Sequence, residues 1–354
     1  MKRCNDEWCP RVAISGVNPD MTPCDGFNLH PPTYKTIMII LSALTPPVNI
    51  FAIYCIIRKS TRQMGSYKWF LLAYQSTSTT FDFSLTTLVL PVVFFPIPMG
   101  YADSVIARWL SLSTNTALFT VVMTVVALTT CIVALFMYRL HVIIAHHHFL
   151  KFSHRGHALF ATAFAFVFCG PVIASLTKAS PDQSEARKWV LVNYPCAEFV
   201  IDAPRLHIYT RASIMHLAVT GVVEGALVSA VILCAILLTL HFLGKNNHLS
   251  QKTKIMQKRF LIYLCVQAAV PSFSLLAPVI LILSSELSQL RQDLGCLTFC
   301  FMAMHGFTSP LSVILCNDAY RASAFTLLEF RCVRKNQNGI VSVSEQNVGR
   351  SSLS

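Results

Sequence analysis

Residues Phe70 to Pro96 read FLLAYQSTSTTFDFSLTTLVLPVVFFP. A helix of about this length spans a bilayer, yet Asp82 sets a carboxylate near its middle. Along such a helix Gln75, Thr79, Asp82 and Thr86 fall at i, i+4, i+7 and i+11 and form one polar stripe, leaving Leu72, Leu85, Leu88 and Val92 to other faces. A charge at mid-bilayer costs about 2.5 to 3.5 kcal/mol on insertion scales. Asp82 therefore belongs inside a bundle, protonated, hydrogen-bonded or paired with a cation. The stripe reads either as a packing device or as a site for an ion, a proton or a ligand.

The rest of the chain supplies the other helices of that bundle. Its 354 residues are 54% hydrophobic and only 12% charged, with a mean hydropathy of +0.56, a composition whose solvent is lipid. Apolar runs free of Lys and Arg occur at about 36–57, 70–97, 110–137, 158–177, 213–243, 260–284 and 294–316. They predict an all-α, seven-transmembrane bundle over 35–316, between a head at 1–34 and a tail at 317–354. The turns after spans one, three and five carry Arg58, Lys59, Arg62 and Lys68; Arg139, Lys151 and Arg155; and Lys245, Lys252, Lys254, Lys258 and Arg259, with no Asp or Glu among them. The positive-inside rule then puts the amino terminus outside and the carboxyl terminus in the cytoplasm. The net charge of +12 is a topology signal, and no nucleic-acid partner is implied.

In chain order, the head shows no cleavable signal peptide, and its Cys4, Cys9 and Cys24 join Cys196 and Cys296 on the oxidising side. Their pairing cannot be read from the sequence. Span one has Pro46-Pro47, which should kink it, and Asn49, a buried amide able to meet Asp82. Tyr34, Trp69 and Trp109 fit interfacial aromatic belts. Span three ends at Arg139, which can snorkel to phosphates or engage a cytoplasmic partner. The loop with His146-His147-His148 lacks acids and cysteines and reads as a solvated basic loop, so no metal is called for.

Residues 179–212 can fold as a lid over the outer mouth. Span five sets His216, Thr220 and Glu224 on one broad face, with His216 or His305 as the expected partner of Glu224. Span six is bent by Pro271 and Pro278 behind a basic inner end, the build of a lever. Span seven lines up Thr298, Met302, His305, Ser309 and Ser312, with Pro310 near its end. After Asn317, an N-cap, Asp318 to Cys332 predicts a short amphipathic helix on the membrane, Cys332 being a lipidation candidate. The remainder reads as a disordered, Ser-rich tail.

Lys68-Trp69-Phe70-Leu71-Leu72 followed by Asp82, Leu85, Pro91, Phe95-Pro96 and Gly100-Tyr101 resembles the second span of nematode serpentine chemoreceptors, class H, with class I as sibling. Ser250-Gln251-Lys252-Thr253, Gln257-Lys258-Arg259-Phe260, Gln267 and Pro271 resemble the class H sixth span, and His305-Gly306 with Tyr320-Arg321 the shared ending.

The resemblance implies a G-protein-coupled receptor at the plasma membrane of a sensory neuron, in its cilium, with a small-molecule ligand and a heterotrimeric G protein as partners and no cofactor. The polar positions of the spans themselves suggest ligand contacts at Asn115, His216, Thr220, Glu224, Gln267 and His305, and a buried polar or ion-holding group of Asn49, Asp82 and Ser309, Asp82 also resembling the buried span-two acid of rhodopsin-like receptors. Arg139, Lys254, Lys258 and Arg259 are then the coupling residues, and Pro271 and Pro310 the switch bends. Tyr138 stands where rhodopsin-like receptors have an acid, and no cysteine opens span three; Cys196 then needs a partner in the head or at Cys296. A channel or transporter using Asp82, Glu224 and His305 is the alternative. No enzyme motif such as HExxH or Gly-x-Ser-x-Gly is present.

Overall fold

A computed structural model describes residues 24, 27–61, 64–95, 97–144, 151, 153–178, 180–245, 250–284 and 292–326. Cys4, Cys9, His146, His147, His148, Cys332 and the Ser-rich tail lie outside the described residues.

Seven long helices occur among the described residues: α1 (Pro32–Arg58), α2 (Tyr67–Phe83), α4 (Thr114–Ile143), α5 (His154–Lys178), α8 (Arg211–Lys245), α9 (Gln251–Ser284) and α10 (Gln292–Cys316). Shorter helices α3 (Val105–Trp109), α6 (Gln183–Asn193) and α7 (Glu198–Ile201) lie between them. Among the described residues five helices, α1, α4, α5, α8 and α10, are long and apolar enough to cross a membrane. α2 is only 17 residues long before its geometry changes, and α9 opens on the basic run that includes Lys254, Lys258 and Arg259. The packing order runs α1 on α2 and α10, α2 on α4, α10 on α9, and α8 on α5 and α9, with α4 touching α2, α5, α8 and α9. α4 is thus the central post.

Two expected boundaries shift. Span two is not one helix to residue 97: it widens into a π turn at Ser84–Val89 and stops at Leu90, whose φ is 47°. Pro91 disfavours helical geometry at the residue before it, and the Leu90 amide reaches back to Leu85 O at 3.0 Å. Span three starts at Thr114 instead of 110, because Ser111 adopts φ 50° and Ser113 caps the new helix by accepting from the Thr116 amide at 3.1 Å.

The chain freed from span two builds a cap at the head end. β1 (Pro91–Val93), β2 (Met99–Ala102) and β3 (His207–Ile208) form an antiparallel sheet in that order. A side-chain carbon at Gly100 would stand 2.6 Å from Val92 O, so only glycine lets these strands close. A Cys24–Cys196 disulfide ties the head to the segment after α6, while Cys296 is a buried free thiol. The Gln292 side chain accepts from the Asn28 amide at 2.6 Å and donates to Asn28 O at 2.9 Å.

Tyr34, expected in an aromatic belt, is 4% exposed. Its hydroxyl donates to Pro91 O at 2.6 Å, and that bond draws the ring under the sheet. Trp69 and Trp109 are exposed. α1 remains helical through Pro46-Pro47, as the backbone of α9 does through 271.

Candidate functional site

The polar stripe of span two is buried at Gln75, Asp82 and Thr86 and half-buried at Thr79. Gln75, Ser78 and Asp82 are each at most 1% exposed, and they face α1 and α10. Asn49 of α1 donates to Thr45 O and to Gly306 O, both at 3.2 Å, and accepts from Gln75 Nε2 at 2.6 Å. Asp82 Oδ1 lies 3.4 Å from His305 Nδ1. Tyr74 and Ser309 share a hydroxyl bond of 2.8 Å one turn further along. Asn49, Asp82 and Ser309 are therefore brought into one buried cluster, joined by His305. Asn49 does so through Gln75 and the α10 backbone.

Sequence reasoning missed Tyr74 and Thr45 as members. Tyr74 lies four residues before Ser78 and eight before Asp82, on the same side of the helix, but its hydroxyl meets Ser309 of α10 while Gln75 meets Asn49 of α1. No spacing signal marks Thr45, because it joins through its backbone carbonyl, which accepts from Asn49 one turn on.

The expected partnership of Glu224 with a histidine is corrected. His305 meets Asp82, while His216 Nδ1 lies 3.1 Å from Ser175 Oγ on α5, with Thr220 Oγ1 at 3.3 Å from the same hydroxyl. α8 packs on α4, α5 and α9, so His216 and Thr220 belong to the α5–α8 seam. Glu224 is half-buried, with Oε1 unpartnered. Asn115 lies in the first turn of α4, half-buried. The six residues implied as ligand contacts thus fall in separate places rather than around one chamber.

Gln267 belongs to the other end. It lines a cavity of about 20 Å³, room for about one water, together with Arg139, Tyr67, Phe260, Tyr263 and Asn317. Arg139 is 7% exposed. Its guanidinium lies 3.6 Å from the centre of the Tyr67 ring and 4.7 Å from that of Phe260, so two aromatic faces take the place of a carboxylate. Tyr138 stacks between Tyr67 at 6.1 Å and Phe70 at 4.8 Å, which fixes the wall on the α2 side.

Outside this cage, Arg259 Nε donates to Tyr263 at 2.5 Å and Arg259 approaches Asp318 at 3.5 Å. Asp318 also holds Arg321 at 2.6 Å in a helix over 318–326. Asn317 caps that helix by accepting from the Ala319 amide at 3.1 Å. Lys254 is half-buried and Lys258 exposed beside them. No group of three or more His, Cys, Asp or Glu that could hold a metal occurs among the described residues.

The fold is shared with a solved receptor. The crystal structure of squid rhodopsin aligns over 89% of this chain and 90% of its own, with a TM-score of 0.51 at 12% sequence identity. No curated protein matches by sequence. The family model for the serpentine type 7TM GPCR chemoreceptor Srh matches residues 30–330. With the bundle, the caged arginine and that match together, the chain belongs to the Srh family of seven-transmembrane G-protein-coupled chemoreceptors.

Proposed function

We propose that this chemoreceptor stands in the plasma membrane of a nematode sensory cilium with its disulfide-tied head outside, and that its Arg139 end activates a heterotrimeric G protein when a small environmental molecule binds. The basic turns 58–68, 139–155 and 245–259 support that orientation. Lys254, Lys258 and Arg259 at the start of α9 would then meet the G protein, with Pro271 and Pro310 as the bends that let α9 and α10 shift.

The observation that carries the reading is the Arg139 cage. Its walls come from α2 (Tyr67) and α9 (Phe260), so an outward displacement of α9 removes one wall and frees the guanidinium at the membrane edge. A ligand that prefers the displaced state shifts that equilibrium by its differential affinity alone.

The test is a signalling assay in a heterologous cell. Arg139→Ala, expressed at the surface at wild-type level, is expected to lose ligand-evoked signalling. Full signalling by that variant would overturn the assignment, as would protease access placing the head in the cytosol.

A further inference from the structure

Asp82 is the carboxylate of a cluster drawn from three helices, and its charge has to be met inside the bundle. The side chains of Asp82 and His305 are 2% and 0% exposed, with Oδ1 and Nδ1 3.4 Å apart. Lysine and arginine lie elsewhere on the helices around them. α1 holds Lys35 and Arg58 only in its first and last turns, α2 holds Lys68 in its first turn, and α10 holds neither type. α4 brings Arg139 only near its inner end, and the basic residues of α9 stop at Arg259. Lys35 is moreover paired with Asp103. His305 is therefore the base that faces Asp82.

The oxygens that a metal cation would need beside Asp82 are turned to other partners. Asn49 Oδ1 accepts from Gln75 at 2.6 Å, Tyr74 and Ser309 bond to each other at 2.8 Å, and the Thr86 hydroxyl donates to Asp82 O at 2.8 Å. The space is closed as well. A side-chain carbon at Gly306 would stand 2.4 Å from the carboxyl carbon of Asp82 and 2.6 and 2.7 Å from its oxygens. Asp82 Oδ2 and His305 Nε2 are both buried without a hydrogen-bond partner. Either group ionised alone would be an uncompensated buried charge, which costs far more than the pair does.

We infer that a proton shared between Asp82 and His305, and no metal ion, is the counter-charge of this cluster. With one proton between them the pair is neutral overall, whether as carboxylate and imidazolium or as carboxylic acid and imidazole, and it titrates as a unit. Moving that proton from Nδ1 to Oδ1 breaks an N–H bond and forms an O–H bond, leaving two uncharged groups. α2 and α10 can then part without baring a charge, whereas a bound ion would have to leave first. The inference goes beyond the signalling reading. It is tested on stability with no G protein present, so its failure would leave the assignment of Arg139 standing.

The experiment follows thermal unfolding of the full chain in phosphatidylcholine nanodiscs while sodium chloride replaces choline chloride at constant ionic strength. The midpoint is expected to stay unchanged. His305→Leu should lower it by about 5 °C or more, the size of effect that breaking a buried pair produces. Asp82→Asn/His305→Leu should lie above His305→Leu alone, because the acid that lost its partner is gone. Should His305→Leu fail to fold, recovery of folding in the double variant supports the pair. If neither folds, the sodium titration of the unaltered protein decides alone. A saturable stabilisation by sodium that Asp82→Asn removes would overturn the inference, and so would single-variant shifts that simply add in the double variant.

Discussion

Gly306 of α10 lies directly against the carboxyl group of Asp82 on α2: a side-chain carbon at position 306 would stand 2.6 and 2.7 Å from its two oxygens. This approach brings Gly306 O within 3.2 Å of the Asn49 amide and His305 Nδ1 within 3.4 Å of Asp82. One missing methyl group therefore lets three helices share a polar cluster.

Gly306→Ala is expected to force α2 and α10 apart and destabilise the receptor by about 1–3 kcal/mol, the usual cost of overpacking. The double variant Gly306→Ala/Asp82→Ala should recover part of the loss, because the clashing carboxyl is gone. Thermal unfolding in detergent measures both, and a Gly306→Ala protein as stable as wild type would show that the contact is not tight.

The Arg139 cage makes a second, opposite prediction. Phe260→Ala removes one ring face from the buried guanidinium, worth about 1–2 kcal/mol. The population with α9 displaced should rise roughly five- to thirtyfold, so basal signalling should increase accordingly. Basal G-protein turnover in reconstituted receptor is the measurement, with Phe260→Tyr expected to stay near wild type because the ring face is retained.

Much of this architecture was legible in the sequence. The hydropathy runs located seven helices, and the spacing Gln75–Thr79–Asp82–Thr86 identified buried positions at Gln75, Asp82 and Thr86, with Thr79 half-buried, because helical periodicity is local. The end of span two was misjudged. Pro91 and the residues after it are apolar, and hydropathy does not separate a buried strand from a continuing helix. The α5–α8 seam was equally hidden, since the periodicity of His216 and Thr220 names a face without naming what it packs on. Arg139 was found by its position, but its aromatic walls come from residues 67 and 260, joined only by the fold.

Cys24 and Cys196 are joined, and either Cys24→Ser or Cys196→Ser should cost about 2–5 kcal/mol of stability. The double variant should be no worse than either single one, because both delete the same bond. Cys296→Ser should not reproduce this loss through the disulfide, since Cys296 is a free thiol. Non-reducing mass mapping of the outer segments checks the pairing, and unfolding curves check the additivity.

The cap also carries a pH dependence, and its sign follows from His207. Burial in β3 pushes the His207 imidazole below its ordinary value, while Nε2 lies 3.0 Å from Ser180 Oγ and 3.4 Å from Gln183 Nε2. Gln183 in turn donates to Ile208 O at 3.0 Å and accepts from the Ile208 amide at 2.9 Å, so the histidine braces the join between β3 and α6. The folded cap resists protonation of this ring more than the unfolded chain does. Cap stability is therefore full above the unfolded histidine value near 6.5 and falls as the pH drops through that value toward the lowered folded one. Asp182, exposed and held below the usual carboxylate range by the Ser184 backbone amide, adds a loss in the same direction at more acid pH. The protection factor of residues 207–208, which divides out the slower intrinsic exchange at acid pH, should fall several-fold between pH 7.5 and 5.5. His207→Phe should remove the part of that dependence that sets in as the pH falls through the unfolded histidine value, and a profile unchanged by His207→Phe would place the sensitivity elsewhere.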